Sequence, residues 1–237
     1  MFEFSEKVVL VTGAAGNLGK AVVRQFLLSG ATVCAVDHRQ GRLEGLRDAS
    51  SALGKLLLFE NMDVTNQEAM QLLAKKVSKK VGNIDVLVNT VGGYTSGEMV
   101  HKISKITFER MMTLNVYSFL NVAQAFIPGM IENLSGKIIT IGAVASFKGR
   151  VKSGAYGAAK SALLRLTESM TGELKPYHIQ VNCVIPGVFD TPDNRKAMPN
   201  ADFEQWVLPT EVAAAILFLS SPSADAITGA AIPVLGS

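Results

Sequence analysis

Short apolar, β-branched runs alternate with longer segments whose hydrophobic residues recur every three or four positions, almost from one end of the chain to the other. Lys7–Val11, Thr32–Val36, Leu56–Phe59, Val86–Asn89, Lys137–Ile141, Gln180–Ile185 and Ala231–Leu235 read as strands. They are nearly continuous apolar runs, as expected of strands covered on both faces. Helical periodicity falls near 18–29, 41–53, 66–81, 107–132, 154–175 and 210–220. Strand and helix in strict alternation predict right-handed crossovers and one doubly wound parallel sheet of about seven strands, an α/β domain of Rossmann type with helices on both faces. The whole chain, 1–237, reads as that one domain, without repeats or linkers. A stretch rich in Pro, Asp and Asn, 186–209, is the one long irregular segment and is expected to form a lid.

Composition narrows the function without identifying it. A net charge of +3 is too small for a nucleic-acid or membrane footprint. Lys75, Lys76, Lys79 and Lys80 fall on one solvated helix face. Cys34 and Cys183 sit inside strand-like runs and read as free core residues. His38, His101 and His178 share no ligand spacing, so no metal site is expected. The acidic start, Glu3 and Glu6 before the first strand, does not read as a signal peptide, and no apolar run reaches the length of a membrane span. The expected protein is cytoplasmic, with a small-molecule substrate.

The first strand runs into Thr12-Gly13-Ala14-Ala15-Gly16-Asn17-Leu18-Gly19 and then a helix. Glycines there let the turn close and let backbone N–H groups approach a pyrophosphate at the helix N-terminus, where the partial positive charge favours it. Asp37, ending the second strand, stands where an acid would accept both adenosine ribose hydroxyls and repel a 2′-phosphate. NAD(H) is therefore the preferred cofactor. Arg39 and Arg42 nearby leave NADP(H) open.

With these features in place the chain resembles the short-chain dehydrogenase/reductase family over its whole length. Asp63 and Val64 resemble the family's adenine-site pair after strand three, and Asn89-Thr90-Val91-Gly92 its turn after strand four. Asn115 is similar to its helix asparagine, and Tyr156-Gly157-Ala158-Ala159-Lys160 to its Y-x-x-x-K motif. Pro186-Gly187-Val188 with Thr191 is similar to the segment that holds the nicotinamide carboxamide. The family's catalytic serine, thirteen residues before the tyrosine, is here Ala143, with Ser146 three positions further on. That alanine, the glycine spacing, the Gly92–Gly97 turn carrying Tyr94, and the run from Asp190 to Trp206 resemble the family's dihydropteridine reductase branch.

Tyrosine and lysine four apart on a helix share a face. The Lys160 ammonium, with an oxidised nicotinamide, is expected to lower the Tyr156 phenol from its usual value near 10. Tyr156 then serves as general acid in reduction, Lys160 tunes it and binds the nicotinamide ribose, and Asn115 holds a water that links Lys160 to solvent. The resemblance implies reduction of a quinonoid dihydropterin with NADH. An electron-poor imine builds no full alkoxide and tolerates the loss of a donor at Ala143, while Tyr94 would stack on the heterocycle and Trp206 close over it. Two alternatives stay open, a carbonyl reductase acting on 3-oxoacyl or similar ketones and a non-catalytic dinucleotide sensor. Phe108, Met111, Met112, Phe119, Leu163, Leu164 and Met170 put apolar groups on more than one face of the two long helices and predict a homodimer or homotetramer.

Overall fold

The computed structural model describes residues 2–49 and 54–236. The strands are β1 (Val8–Thr12), β2 (Thr32–Val36), β3 (Lys55–Phe59), β4 (Val86–Asn89), β5 (Gly136–Ile141), β6 (Ile179–Pro186) and β7 (Ala231–Val234). The helices are α1 (Asn17–Leu28), α2 (Gln67–Val81), α3 (Lys105–Met112), α4 (Ser118–Glu132), α5 (Gly154–Leu174), α6 (Pro192–Ala197) and α7 (Pro209–Ser220). All seven strands pair in parallel in the order β3-β2-β1-β4-β5-β6-β7. This is the expected Rossmann-type doubly wound sheet. Its order reverses between β1 and β4, the place where such sheets open a ligand crevice at their C-terminal edge.

Successive side chains of one strand serve opposite layers. Val9 and Val11 of β1 pack with Val22, Val23, Phe26 and Ile216 from α1 and α7. Leu10 between them joins Met70, Phe119, Phe126 and Leu163 from α2, α4 and α5 on the other face. Each such fully buried Leu, Val or Phe contributes roughly 1.5–3 kcal/mol of transfer free energy, so β1 is held from both sides.

Three expectations change. The helix expected over 41–53 is a 3-10 turn, Glu44–Ala49, with residues 50–53 outside the described ones. Gly41 adopts a φ of 78° just before it, which an α-helix does not accommodate. The helix expected over 107–132 starts at Lys105 and is split by a π turn, Thr113–Tyr117, into α3 and α4. The segment 186–209 is more ordered than its composition suggests. It contains α6 and a 3-10 turn, Phe203–Gln205, and is pinned where Asp190 N–H donates to Val207 O and Val207 N–H to Val188 O, both at 2.9 Å.

Free, buried Cys34 and Cys183 lie on β2 and β6. The four lysines of α2 are exposed, with Lys80 lying over the Phe59 ring at 5.1 Å. Among the described residues no helix is long and apolar enough to cross a membrane, and no group of His, Cys, Asp or Glu could hold a metal ion.

Candidate active site

The turn after β1 is built around absent side chains. Gly13 holds a φ of 66°. A Cβ on Gly19 would stand 2.2 Å from Gly13 O and 2.7 Å from the Ala14 Cα, both immovable backbone atoms. Gly16 is the N-cap of α1 and supplies no side-chain cap, so the first N–H groups of the helix, those of Asn17, Leu18 and Gly19, stay open to a ligand. Asp37 is buried to 4% exposure, with Oδ2 3.3 Å from Ala15 N and Oδ1 3.4 Å from Arg39 N. His38 Nδ1 and Arg42 Nη1 approach the same Oδ1 at 3.2 and 3.7 Å.

Across the switch point, Thr12 Oγ1 donates to Asn89 Oδ1 at 2.6 Å. Asn89 Nδ2 is the buried side-chain polar atom that finds no partner among the described residues. Such an atom normally marks a missing ligand or water. A Cβ on Gly92 would fall 2.9 Å from Asn115 Oδ1 and 3.2 Å from Lys160 Nζ. The orphaned amide, the bare backbone turn and the buried acid on β2 together fit a dinucleotide lying along the crevice. Asp63 is exposed and its Oδ1 accepts from Thr65 N and Oγ1, while Val64 is buried and its carbonyl accepts from Asn121 Nδ2.

Tyr156 and Lys160 occupy one face of α5 as the spacing requires, with Lys160 Nζ 6.0 Å from the Tyr156 ring centre and donating to Ile141 O at 2.7 Å. The expected lowering of the phenol is not found in the chain alone. Burial pushes Tyr156 up to about 12, the Tyr94 phenol adds to the rise, and Arg150 opposes it. Burial likewise pulls Lys160 down to about 8. In both groups desolvation of the charged form is the largest cause of the shift.

Asn115, in the π turn, does not leave its amide for water. Its Oδ1 accepts from Gly93 N at 3.1 Å, and its Nδ2 donates to Gly93 O and Met111 O, each at 3.0 Å. The side chain clamps the turn after β4 in place of the expected water. Tyr94 follows that clamp, 65% exposed, with its ring edge-on to Tyr156 at 4.9 Å and 82°. Ala143 contributes no hydroxyl. Ser146 Oγ, three residues on, accepts from Ala143 N at 3.1 Å and caps the 3-10 turn Val144–Ser146.

The loop after β6 brings Pro186, Gly187, Val188 and Thr191 to the same edge of the sheet. Gly187 is fixed by the neighbouring strand, since a Cβ there would sit 2.7 Å from Leu235 O. Thr191 is buried and its Oγ1 accepts from Asn194 N as the N-cap of α6, which leaves its hydroxyl proton free to donate. The remainder of the lid is bonded to itself. Arg195 pairs with both oxygens of Asp190 at 2.6 and 2.7 Å and lies 4.7 Å over Phe203, which packs on Trp206 at 4.8 Å. Trp206 therefore has a neighbour within the lid itself. A groove of about 1110 Å³ lies on the outer face of α3 and α5, lined by Val100, Phe108, Met112, Tyr117, Gly154 and Ala158 among others. Met111, Phe119, Leu163 and Leu164, read from the sequence as candidates for a partner, are buried in the chain's own core.

A family model described as short chain dehydrogenase matches residues 7–202. A 3-oxoacyl-(acyl-carrier-protein) reductase of Thermotoga maritima is 32% identical over 239 residues, spanning 97% of this chain and 96% of its own. A 7alpha-hydroxysteroid dehydrogenase of Escherichia coli is 30% identical over 240 residues, spanning 97% and 93%. An NAD+-bound xylitol dehydrogenase structure superposes with a TM-score of 0.90 at 26% identity, covering 99% of both chains. A short-chain type dehydrogenase/reductase from Mycobacterium ulcerans gives a TM-score of 0.92 at 24% identity, covering 98% and 89%, a likeness of fold. None of these relatives is a dihydropteridine reductase, so the resemblance to that branch rests on the chain's own residues and not on these relatives.

Proposed function

The chain belongs to the short-chain dehydrogenase family and is an oxidoreductase, and from that premise we propose that it reduces a small-molecule ketone with NADH. The observation that carries the reading is half-buried Tyr156 next to buried Lys160, beside an uncommitted backbone cradle. A phenol held near 12 is fully protonated at neutral pH, and Lys160 near 8 is still largely charged there. That is the protonation state a general acid needs for reduction. Gly13, Gly16, Asn17, Leu18 and Gly19 would hold the pyrophosphate, Asp37 the adenosine ribose, and Asp63 with Val64 the adenine. Asn89, Gly92 and Lys160 would face the nicotinamide ribose, and Pro186, Gly187, Val188 and Thr191 the carboxamide. When bound, the cofactor supplies the hydride. Tyr156 gives its proton to the carbonyl oxygen, and Lys160, anchored on Ile141 O, supports the phenolate left behind. With His38 and Arg42 already beside Asp37, NADP(H) is the secondary cofactor.

A second reading, reduction of a quinonoid dihydropterin, is favoured by Ala143 and by Tyr94 on its glycine turn. NADH oxidation measured against a 3-oxoacyl thioester, a steroid ketone and a quinonoid dihydropterin separates the two. Turnover of either ketone above the pterin supports the ketone reading; turnover of the pterin alone replaces it. We also propose a homodimer or homotetramer in which a second copy covers the Phe108, Met112 and Tyr117 face. Light scattering at micromolar concentration should give a multiple of 25.3 kDa, and a 25.3 kDa particle would refute it.

A further inference from the structure

Ketone reduction places negative charge on an oxygen, and one hydroxyl usually held ready for it is missing here. Ala143 has none, and Ser146 Oγ is turned onto the Ala143 N–H. Thr140 lies out of reach, buried on β5 with its Oγ1 2.9 Å from Thr167 Oγ1. A hydroxyl-bearing side chain that stands beside Tyr156 is Tyr94, 4.9 Å away between ring centres and edge-on.

Its position is not that of a loose surface residue. Asn115 grips both the N–H and the C=O of the preceding Gly93, and a Cβ on Gly93 would meet Leu114 Cδ1 at 2.7 Å, so the turn lies flat against the π segment. On its far side the loop is stitched to the segment before α5. Gly97 N–H donates to Lys152 O at 2.8 Å, and Glu98 forms a β-bridge with Ser153. Tyr94 thus lies between two anchors, the Gly93 clamp and the Glu98–Ser153 bridge that ends three residues before Tyr156, while its side chain stays largely exposed.

We propose that Tyr94 is a catalytic residue, its hydroxyl donating a hydrogen bond to the substrate oxygen and standing in for the donor absent at Ala143. The inference rests on the ketone-reduction reading. The balance is simple. Hydride from the reduced nicotinamide forms the new C–H bond and the carbonyl π pair moves to oxygen. The Tyr156 proton completes the alcohol, and Tyr94 keeps its own proton throughout. Asn115 is a positioning residue, acting through Gly93.

Tyr94→Phe keeps the ring and removes only the donor. It should lower kcat for the ketone on the order of tenfold to a hundredfold with KM nearly unchanged, less than for an enclosed oxyanion donor because this one is partly wet. Adding Ala143→Ser to Tyr94→Phe should restore most of the loss, whereas Tyr94→Phe at full kcat overturns the proposal. Loss in Tyr94→Ala alone, with Tyr94→Phe unaffected, makes Tyr94 a stacking surface and also overturns it. Absence of any ketone turnover in the unmutated protein removes the parent reading, and the inference with it. A substrate-free arm reads the same geometry: in the cofactor-free protein, the Tyr156 ring-carbon NMR titration should move to lower pH in Tyr94→Phe and stay put in Tyr117→Phe. An unmoved Tyr156 titration in Tyr94→Phe counts against the proposal.

Discussion

On the β1–β2 side of the crevice the backbone makes the site, and on the β4–β5–β6 side the side chains make it. The first side depends on what is absent. Gly19 has 2.2 Å between its would-be Cβ and Gly13 O, and no neighbour can move to admit more. The second side depends on cross-links, with Asn115 gripping Gly93, Ser146 capping Ala143, and Arg195 joining Asp190 to Phe203. Backbone constraints restrict a position to one residue type, so they recur wherever a dinucleotide is bound. Side-chain cross-links restrict a set of positions jointly and say only that the set holds together. The lid run illustrates this. Asp190, Thr191, Asn194, Arg195, Asp202, Phe203 and Trp206 are each engaged within the segment or at its root, so likeness in that run reports a lid architecture and not the molecule beneath it.

The largest expected effect separates the two sides. Tyr156→Phe should lower kcat by about a thousandfold, within the range for losing a positioned general acid, because the next phenol, Tyr94, is mostly exposed. NADH affinity by calorimetry should change less than about twofold, since the ring and the Lys160 to Ile141 hydrogen bond remain. A parallel loss of NADH binding would mean that the two sides are not independent.

Asp37→Ala tests the other side. NADH affinity should fall by on the order of tenfold to a hundredfold, as for losing charge-assisted bonds to two hydroxyls, while kcat at saturating cofactor stays near the parent value. His38 and Arg42 then lose their carboxylate and face the ribose unopposed, so NADPH should bind as well as NADH or better. Titrating both cofactors into both proteins decides it. An unchanged ratio would take Asp37 out of cofactor choice.

The same contrast explains what could be read from the chain. The strand pattern, the glycine turn, Asp37 and the Tyr156–Lys160 spacing were legible because each is imposed by local geometry, through a buried strand, a turn too tight for Cβ, or one helical turn. The π turn was not, since Thr113–Tyr117 reads as ordinary helix and is widened by the tertiary clamp on Gly93. The 3-10 turn at Glu44–Ala49 was missed because apolar spacing outweighed two glycines. The rise of Tyr156 was missed for a related reason. Sequence shows a cation four residues away and does not show how far both groups are removed from water.

The smallest effect is expected in the lid. Arg195→Ala removes a two-point ion pair with Asp190 and a cation above Phe203, but spares the Thr191 cap and the Asp190–Val207 rung. The lid should stay folded and open more often. Hydrogen exchange read by mass spectrometry should be several-fold faster for the amides of Arg195 and Met198, which are bonded within α6, and unchanged for β6. Acid should reproduce this in the unmutated protein. The Arg195 guanidinium holds the Asp190 carboxyl below its ordinary value, so the contribution of the pair is present above the usual carboxylate range and fades as pH falls through the lowered one. Because both groups face solvent, salt should weaken the pair as well. If Arg195→Ala opens the lid and raises KM for the ketone with NADH affinity unchanged, the lid belongs to the substrate side of the crevice. If NADH affinity falls equally, Thr191 transmits the change, and the division between backbone-built and side-chain-built halves breaks at that residue.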